Sequence, residues 1–200
     1  MNLINLSIIL FFIMDSFGNI SSYLTLTKDL APARQRYIIF REMLIALAVM
    51  LLLFFIGSYL CSFLTLSQAS LKLSAGLILF LHSIKILFPE PTNLRSNLPR
   101  GEPFIFPLAV PLIASPALMA SILLFSNIRP YRSIILGAIL CAWLASVLIL
   151  YFSRTIYKLI GSNGLRASER LLGMVLVIIA VQFFLDGILT FWTNYQLAKL

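Results

Sequence analysis

A chain of 200 residues that is 60% hydrophobic and only 11% charged, with a mean hydropathy of +1.00, lies far outside the composition of a soluble globular domain. Its formal charge of +8 would suggest nucleic acid or an acidic partner in a soluble protein. Here the Lys and Arg residues cluster between apolar segments, where they read as topology signals and lipid-headgroup contacts, so nucleic acid is excluded as a partner.

At about 20 apolar residues per crossing, the pattern predicts six transmembrane helices in a single all-α integral membrane domain. The first spans about 3–26 and carries an anomaly, Met14-Asp15-Ser16-Phe17-Gly18-Asn19-Ile20-Ser21-Ser22. A backbone group without a partner costs several kcal/mol in hydrocarbon, so a helix is broken at membrane depth only where protein or a water-filled cavity covers the break. A basic connection, 28–41, leads to the second span at about 43–66, and the third is short, about 73–88. Residues 89–103 are rich in proline and polar side chains and form the linker between two triplets of spans. The fourth span, about 104–125, contains Pro107, Pro111 and Pro116, with a second polar interruption at Pro111-Leu112-Ile113-Ala114-Ser115-Pro116-Ala117. The fifth covers about 134–156, a basic turn is expected at 162–170, and the sixth runs 171–192. The N-terminus shows neither a basic flank nor a small-residue cleavage site, so no removable signal peptide is expected. Cys61 and Cys141 fall in apolar segments without metal-type spacing and read as packing residues.

Eleven of the 15 Lys and Arg residues fall on the face that follows spans one, three and five. The positive-inside rule then places both termini outside the cytoplasm.

At an offset of 96, Pro111 falls under Asp15, Ser115 under Asn19 and Pro116 under Ile20, while Arg132-Ser133-Ile134-Ile135 falls under Arg36-Tyr37-Ile38-Ile39. Gly76 and Gly173 start the third span of each half. The order of features repeats: broken helix, basic turn, unbroken helix, short turn, third helix. Two three-helix repeats, 1–88 and 104–200, must then have inverted topology, because three crossings are odd. Paired discontinuous helices meeting near the midplane are a device of secondary transporters. The alternative is that these kinks are structural, since Pro and Gly are common in membrane helices. Asp15 and Asn19 beside Gly18 weigh against it, because polar groups are costly there.

At these residues the chain resembles the MarC family, also called UPF0056, over nearly its whole length. The family's first helix carries a motif close to D-P-F-G-N-I-P and its fourth P-L-I-A-G-P-G. Here they stand as Asp15-Ser16-Phe17-Gly18-Asn19-Ile20-Ser21 and Pro111 to Ala117, and Gln182-Phe183-Phe184-Leu185-Asp186-Gly187-Ile188 resembles A-V-Q-F-I-L-x-G-I. Ser16, Ser21, Ser115 and Ala117 replace family prolines and glycines, which bears on the shape of the breaks and on substrate choice. The resemblance implies a six-helix transporter of small neutral amino acids in the cell (inner) membrane, coupled to protons in one version of the mechanism.

A zwitterionic substrate needs donors for its carboxylate and acceptors for its ammonium. The expected binding residues are Asp15, Ser16, Gly18, Asn19 and Ser21 from the first break, with Pro111, Ser115, Pro116 and Ala117 from the second. Free N–H groups at a restarting helix suit a carboxylate. Asp15 either meets the ammonium and carries a proton, or caps the broken helix; both readings stay open. His82 is a proton-relay candidate or a helix-to-helix hydrogen bond. Gln182 and Asp186, four apart, share a helix face and are secondary candidates. No metal cluster, nucleotide loop or Ser-His-Asp set is present in the sequence, so neither an enzyme nor a cofactor is expected. The expected partners are a small-molecule substrate and the lipid bilayer, with a homo-oligomer left open. The competing reading is a non-transporting membrane scaffold, whereas a channel would need a continuous polar helix face, which is lacking.

Overall fold

The computed structural model describes residues 2–27, 31–89, 114–127 and 131–197. Helix α1 (Leu3–Ile13) buries Leu6, Leu10 and Ile13, one stripe at helical spacing, and α2 (Ser16–Thr27) follows after a two-residue interruption. The next helices are α3 (Pro32–Phe63), α4 (Gln68–Leu87), α5 (Pro116–Ser126), α6 (Arg132–Tyr151) and α7 (Ser153–Leu197). No strand occurs among the described residues. Counting α1 and α2 as one span, five helical stretches among the described residues are long and apolar enough to cross a membrane. The short α5 is the end of the fourth expected span, whose first part, including Pro107 and Pro111, lies outside the described residues.

Side chains that face out of the bundle are largely apolar, among them Leu52, Phe55 and Ile56 on α3 and Met174, Ile178 and Leu185 on α7. The same chemistry faces inward, in one continuous core from Leu6 through Met43, Met50 and Ile122 to Ala180. An apolar solvent explains both, and the chain is an integral membrane protein.

Two stretches read as loops are helical. Helix α3 begins at Pro32, inside the expected basic connection, and residues 162–170 lie within α7, not in a turn. Hydropathy marks where a helix leaves the hydrocarbon, while Arg, Gln, Glu and Leu continue it into water. With 32 residues, α3 is about 48 Å long, well beyond a hydrocarbon core of about 30 Å. The turn after α6 comes instead at Phe152, and α7 bends at Gly161, whose φ of 71° suits only glycine without strain.

The most extensive packing is α4 along α7, followed by α1 along α6, and by α3 and α4 each along α5. Small residues let α4 and α7 approach closely. A Cβ on Gly76 would lie 2.8 Å from the Phe184 amide nitrogen and 2.9 Å from the Ala180 carbonyl. One on Gly173 would lie 3.2 Å from Leu87, and one on Gly187 2.8 Å from Leu73. These contacts run antiparallel. Between α3 and α6, Trp143 Nε1 donates to the Met43 carbonyl at 2.8 Å, and Arg132 lies over the Phe54 ring at 5.5 Å, again an antiparallel register.

Candidate functional site

The break in the first span is built by Asp15. Its φ of 44° is left-handed, a conformation Asp tolerates better than most residues because its short side chain hydrogen-bonds locally. That one residue ends α1, where its N–H donates to the Phe12 carbonyl at 3.0 Å, and caps α2, where its Oδ1 accepts from the Gly18 N–H at 3.3 Å. Asn19 completes the junction by donating Nδ2–H to the Met14 carbonyl at 2.9 Å, a group left over when α1 stops. The capping role weighed for Asp15 is therefore present. A Cβ on Gly18 would meet the Asp15 carboxylate, so a side chain there would displace the cap. Met14, Ser16 and Asn19 are buried.

Polar side chains lead away from this junction. Ser16 Oγ donates to Ser146 Oγ on α6 at 2.6 Å, and Ser146 donates onward to the Ala142 carbonyl at 2.9 Å and stands 3.5 Å from Met14 Sδ. Ser21 Oγ donates to Glu169 Oε1 on α7 at 2.9 Å, and the Glu169 carboxylate is near enough to Asp15 for their charges to interact. Ser21 also lines an open cleft of about 720 Å³ with Thr25, Gln35, Arg154, Lys158 and Arg166. The cleft lies at the basic end of the bundle, where α2 ends and α3 and α7 begin. Gln35 is buried and clamps that end, donating Nε2–H to the Thr27 carbonyl and accepting from Arg154 Nε at 2.9 Å.

In the fourth span, Ser115 Oγ accepts from the Leu118 N–H at 3.2 Å and Pro116 occupies the first turn, so α5 has a fixed start. Ser115 and Ala117 are buried, and Ala114 and Ala117 share one core with Met14. The two restarts thus pair Asp15-Ser16 with Ser115-Pro116, 100 residues on, one helical turn away from the register of 96 read in the sequence. Pro111 lies outside the described residues.

The remaining candidates stand elsewhere. His82 is on α4, whose principal neighbours are α7 and α5, and its buried Nε2 has no hydrogen-bond partner among the described residues. Gln182 Nε2 donates to Asp186 Oδ1 at 2.8 Å, a local pair on α7. Asp186 stands 17 residues, about 25 Å of helix, from Glu169. Lys72 and Thr190 join α4 to α7 beside it at 3.0 Å.

Three residues of this arrangement, Ser146, Glu169 and Gln35, lie outside the sequence reading, as does Glu42 elsewhere on α3. Glu169 is the single acid between Leu165 and Arg170 and was read as part of a turn; helical phasing of that stretch would have set it apart. Glu42, fully buried on α3, accepts from Arg41 Nε and Nη2 at 2.9 and 2.7 Å, while its Oε2 has no partner among the described residues. A buried carboxylate oxygen of this kind is costly.

Residues 1–192 match the model of a family described as "MarC family integral membrane protein". The chain is 42% identical over 188 residues to the UPF0056 inner membrane protein YhgN of Escherichia coli K12, covering 93% of this chain and 95% of that protein. It is 40% identical over 190 residues to a UPF0056 membrane protein of Buchnera aphidicola, with 93% and 96% covered. A UPF0056 membrane protein of Chlamydia pneumoniae is 35% identical over 188 residues, 93% of each chain. No solved structure matches the fold.

Proposed function

The chain belongs to the MarC family of integral membrane proteins, and from that premise we propose that it is a secondary transporter of a small polar solute, working by alternating access. The observation that carries this reading is the break at Met14-Asp15 in the first span, followed six residues on by Ser21, which bonds Glu169 and lines a polar cleft at one end of the bundle. A polar break inside a span is costly unless protein or a water-filled cavity covers it, and the nearby cleft gives such a site a route to water.

The charges fit a zwitterion such as a small neutral amino acid. Arg154, Lys158 and Arg166 attract its carboxylate into the cleft, and Glu169 and Asp15, deeper in, suit its ammonium. Transfer past Asp15 accompanies a change in the break itself, with the proton a candidate coupling ion. The cell inner membrane with both termini outside the cytoplasm agrees with the basic residues gathered at the cleft end.

Inverted repeats supply the moving parts. The pairs α1–α6, α3–α5 and α4–α7 are first with second, second with first, and third with third, the exchange a pseudo-two-fold produces. The seam repeats the relation in detail: Gly76 meets Phe184, Gly173 meets Leu87, and both partners are displaced by 97 residues. The two halves then rock about the break.

Uptake into proteoliposomes tests the reading. Asp15→Asn preserves both the capping geometry and the left-handed backbone while removing the charge, so a loss of transport with normal folding assigns the carboxylate to the site. A second reading, a scaffold whose polar groups only knit helices, draws on the Ser16–Ser146 bond and the Asn19 tie to Met14. A stoichiometric membrane partner together with no solute-dependent thermal shift would favour it.

A further inference from the structure

Next to the cleft, and sharing Gln35 and Arg154 with it, is a smaller crevice of about 140 Å³. Tyr23, Gln35 and Ser153 form its buried inner wall, and Arg36, Tyr151 and Thr155 its exposed lip. None of its described lining residues is acidic. The Arg36 guanidinium stacks over the Tyr151 ring at 5.4 Å, and Arg154 uses its Nε on Gln35. Neither has a carboxylate partner among the described residues. Two guanidiniums with two hydroxyls beside them form a phosphate-recognising set, since guanidinium donors match phosphate oxygens in geometry. At about 30 Å³ per water the space equals roughly five waters, room for a single phosphate group.

The surroundings indicate which phosphate. Tyr37, Phe40, Tyr151 and Phe152 are exposed around this end of the bundle, and Arg34 lies over the Tyr37 ring at 5.5 Å. Exposed aromatics mixed with arginines mark the depth of lipid headgroups. A crevice whose lip carries Arg36 and Tyr151 among these exposed aromatics is set at headgroup depth, where phosphates of the bilayer are the most concentrated anions. We propose that it binds the phosphate of an anionic phospholipid headgroup, with Arg36 and Arg154 as the cations and Ser153 and Thr155 as hydroxyl partners. Because Arg154 also closes the Gln35 clamp, a bound headgroup would brace the junction of α2, α3 and α7.

Native mass spectrometry of the full chain in mild detergent tests this, with phosphatidylglycerol, phosphatidylcholine and inorganic phosphate as separate probes. Phosphatidylglycerol should stay bound at collision energies that strip phosphatidylcholine. Arg36→Gln should weaken it about fivefold, the usual contribution of one basic residue near an anionic surface. Lys85→Gln, the same charge loss elsewhere, should leave it unchanged. Thr155→Glu places a carboxylate on the exposed lip, should give the same loss, and replaces Arg36→Gln if that variant does not fold. Equal retention of the two lipids, undiminished binding by Arg36→Gln or Thr155→Glu, or displacement of phosphatidylglycerol by inorganic phosphate would overturn the proposal.

Discussion

Ser21 on α2 donates a hydrogen bond of 2.9 Å to Glu169 on α7, joining residues 148 positions apart. Ser21 follows the Asp15 junction on α2 and also lines the cleft, so this bond ties the broken span to the cleft wall. Ser21→Ala leaves Glu169 without that donor, and a lost membrane hydrogen bond costs about 0.6 kcal/mol on average. The folded protein should survive the change, while solute-dependent protection in hydrogen exchange of residues 16–25 should decrease.

Capping and charge can be separated at residue 15. Asp15→Ala removes the cap of α2 and places a less tolerant residue at φ 44°, so it should destabilise by about 1 to 2 kcal/mol. Asp15→Asn should cost much less. Thermal denaturation of the two variants in one detergent checks the order, and equal losses would deny the capping role.

Along the α4–α7 seam the cost of a methyl group should depend on what it meets. At Gly76 it meets backbone atoms of Phe184 and Ala180 that cannot rotate away, so Gly76→Ala should cost about 1 to 3 kcal/mol. At Gly173 it meets only the side chains of Ile86 and Leu87, which can adjust, and Gly173→Ala should cost less. Chemical denaturation in detergent measures both.

Gln35 clamps the cleft end through Thr27 and Arg154. Gln35→Ala should loosen the ends of α2 and α7, and a cysteine introduced at Thr25 on the cleft wall should then be alkylated faster. An unchanged rate would show that the cleft is held by other contacts.

Five of the six expected spans, and the end of the fourth as α5, were legible because hydropathy and helical spacing act locally, and the break was legible because Asp15 and Asn19 are too costly in hydrocarbon to be incidental. Helix ends were less so. The first turns of α3 carry Arg34, Arg36 and Arg41, and residues 162–170 carry Arg166, Glu169 and Arg170; such charge signals water and says nothing about where a helix stops. Partnerships were least legible: the Ser16–Ser146, Ser21–Glu169 and Gln35–Arg154 bonds join residues more than 100 positions apart, and only the folded bundle brings them together. The repeat register shows the same limit. Thin similarity aligned Asn19 with Ser115, whereas the helix restarts pair Asp15 with Ser115 through a shared capping function.

The central claim is that the Asp15 junction is the place where a small polar solute passes. Uptake of labelled small neutral amino acids into proteoliposomes, compared among the wild-type chain, Asp15→Asn and Asn19→Ala at matched folded amounts, tests it most directly. The account predicts saturable uptake by the wild type and at least a tenfold loss, about 1.4 kcal/mol or more in the transport barrier, in both variants. Full transport by the two variants, or no uptake of any solute by the wild type, would contradict it.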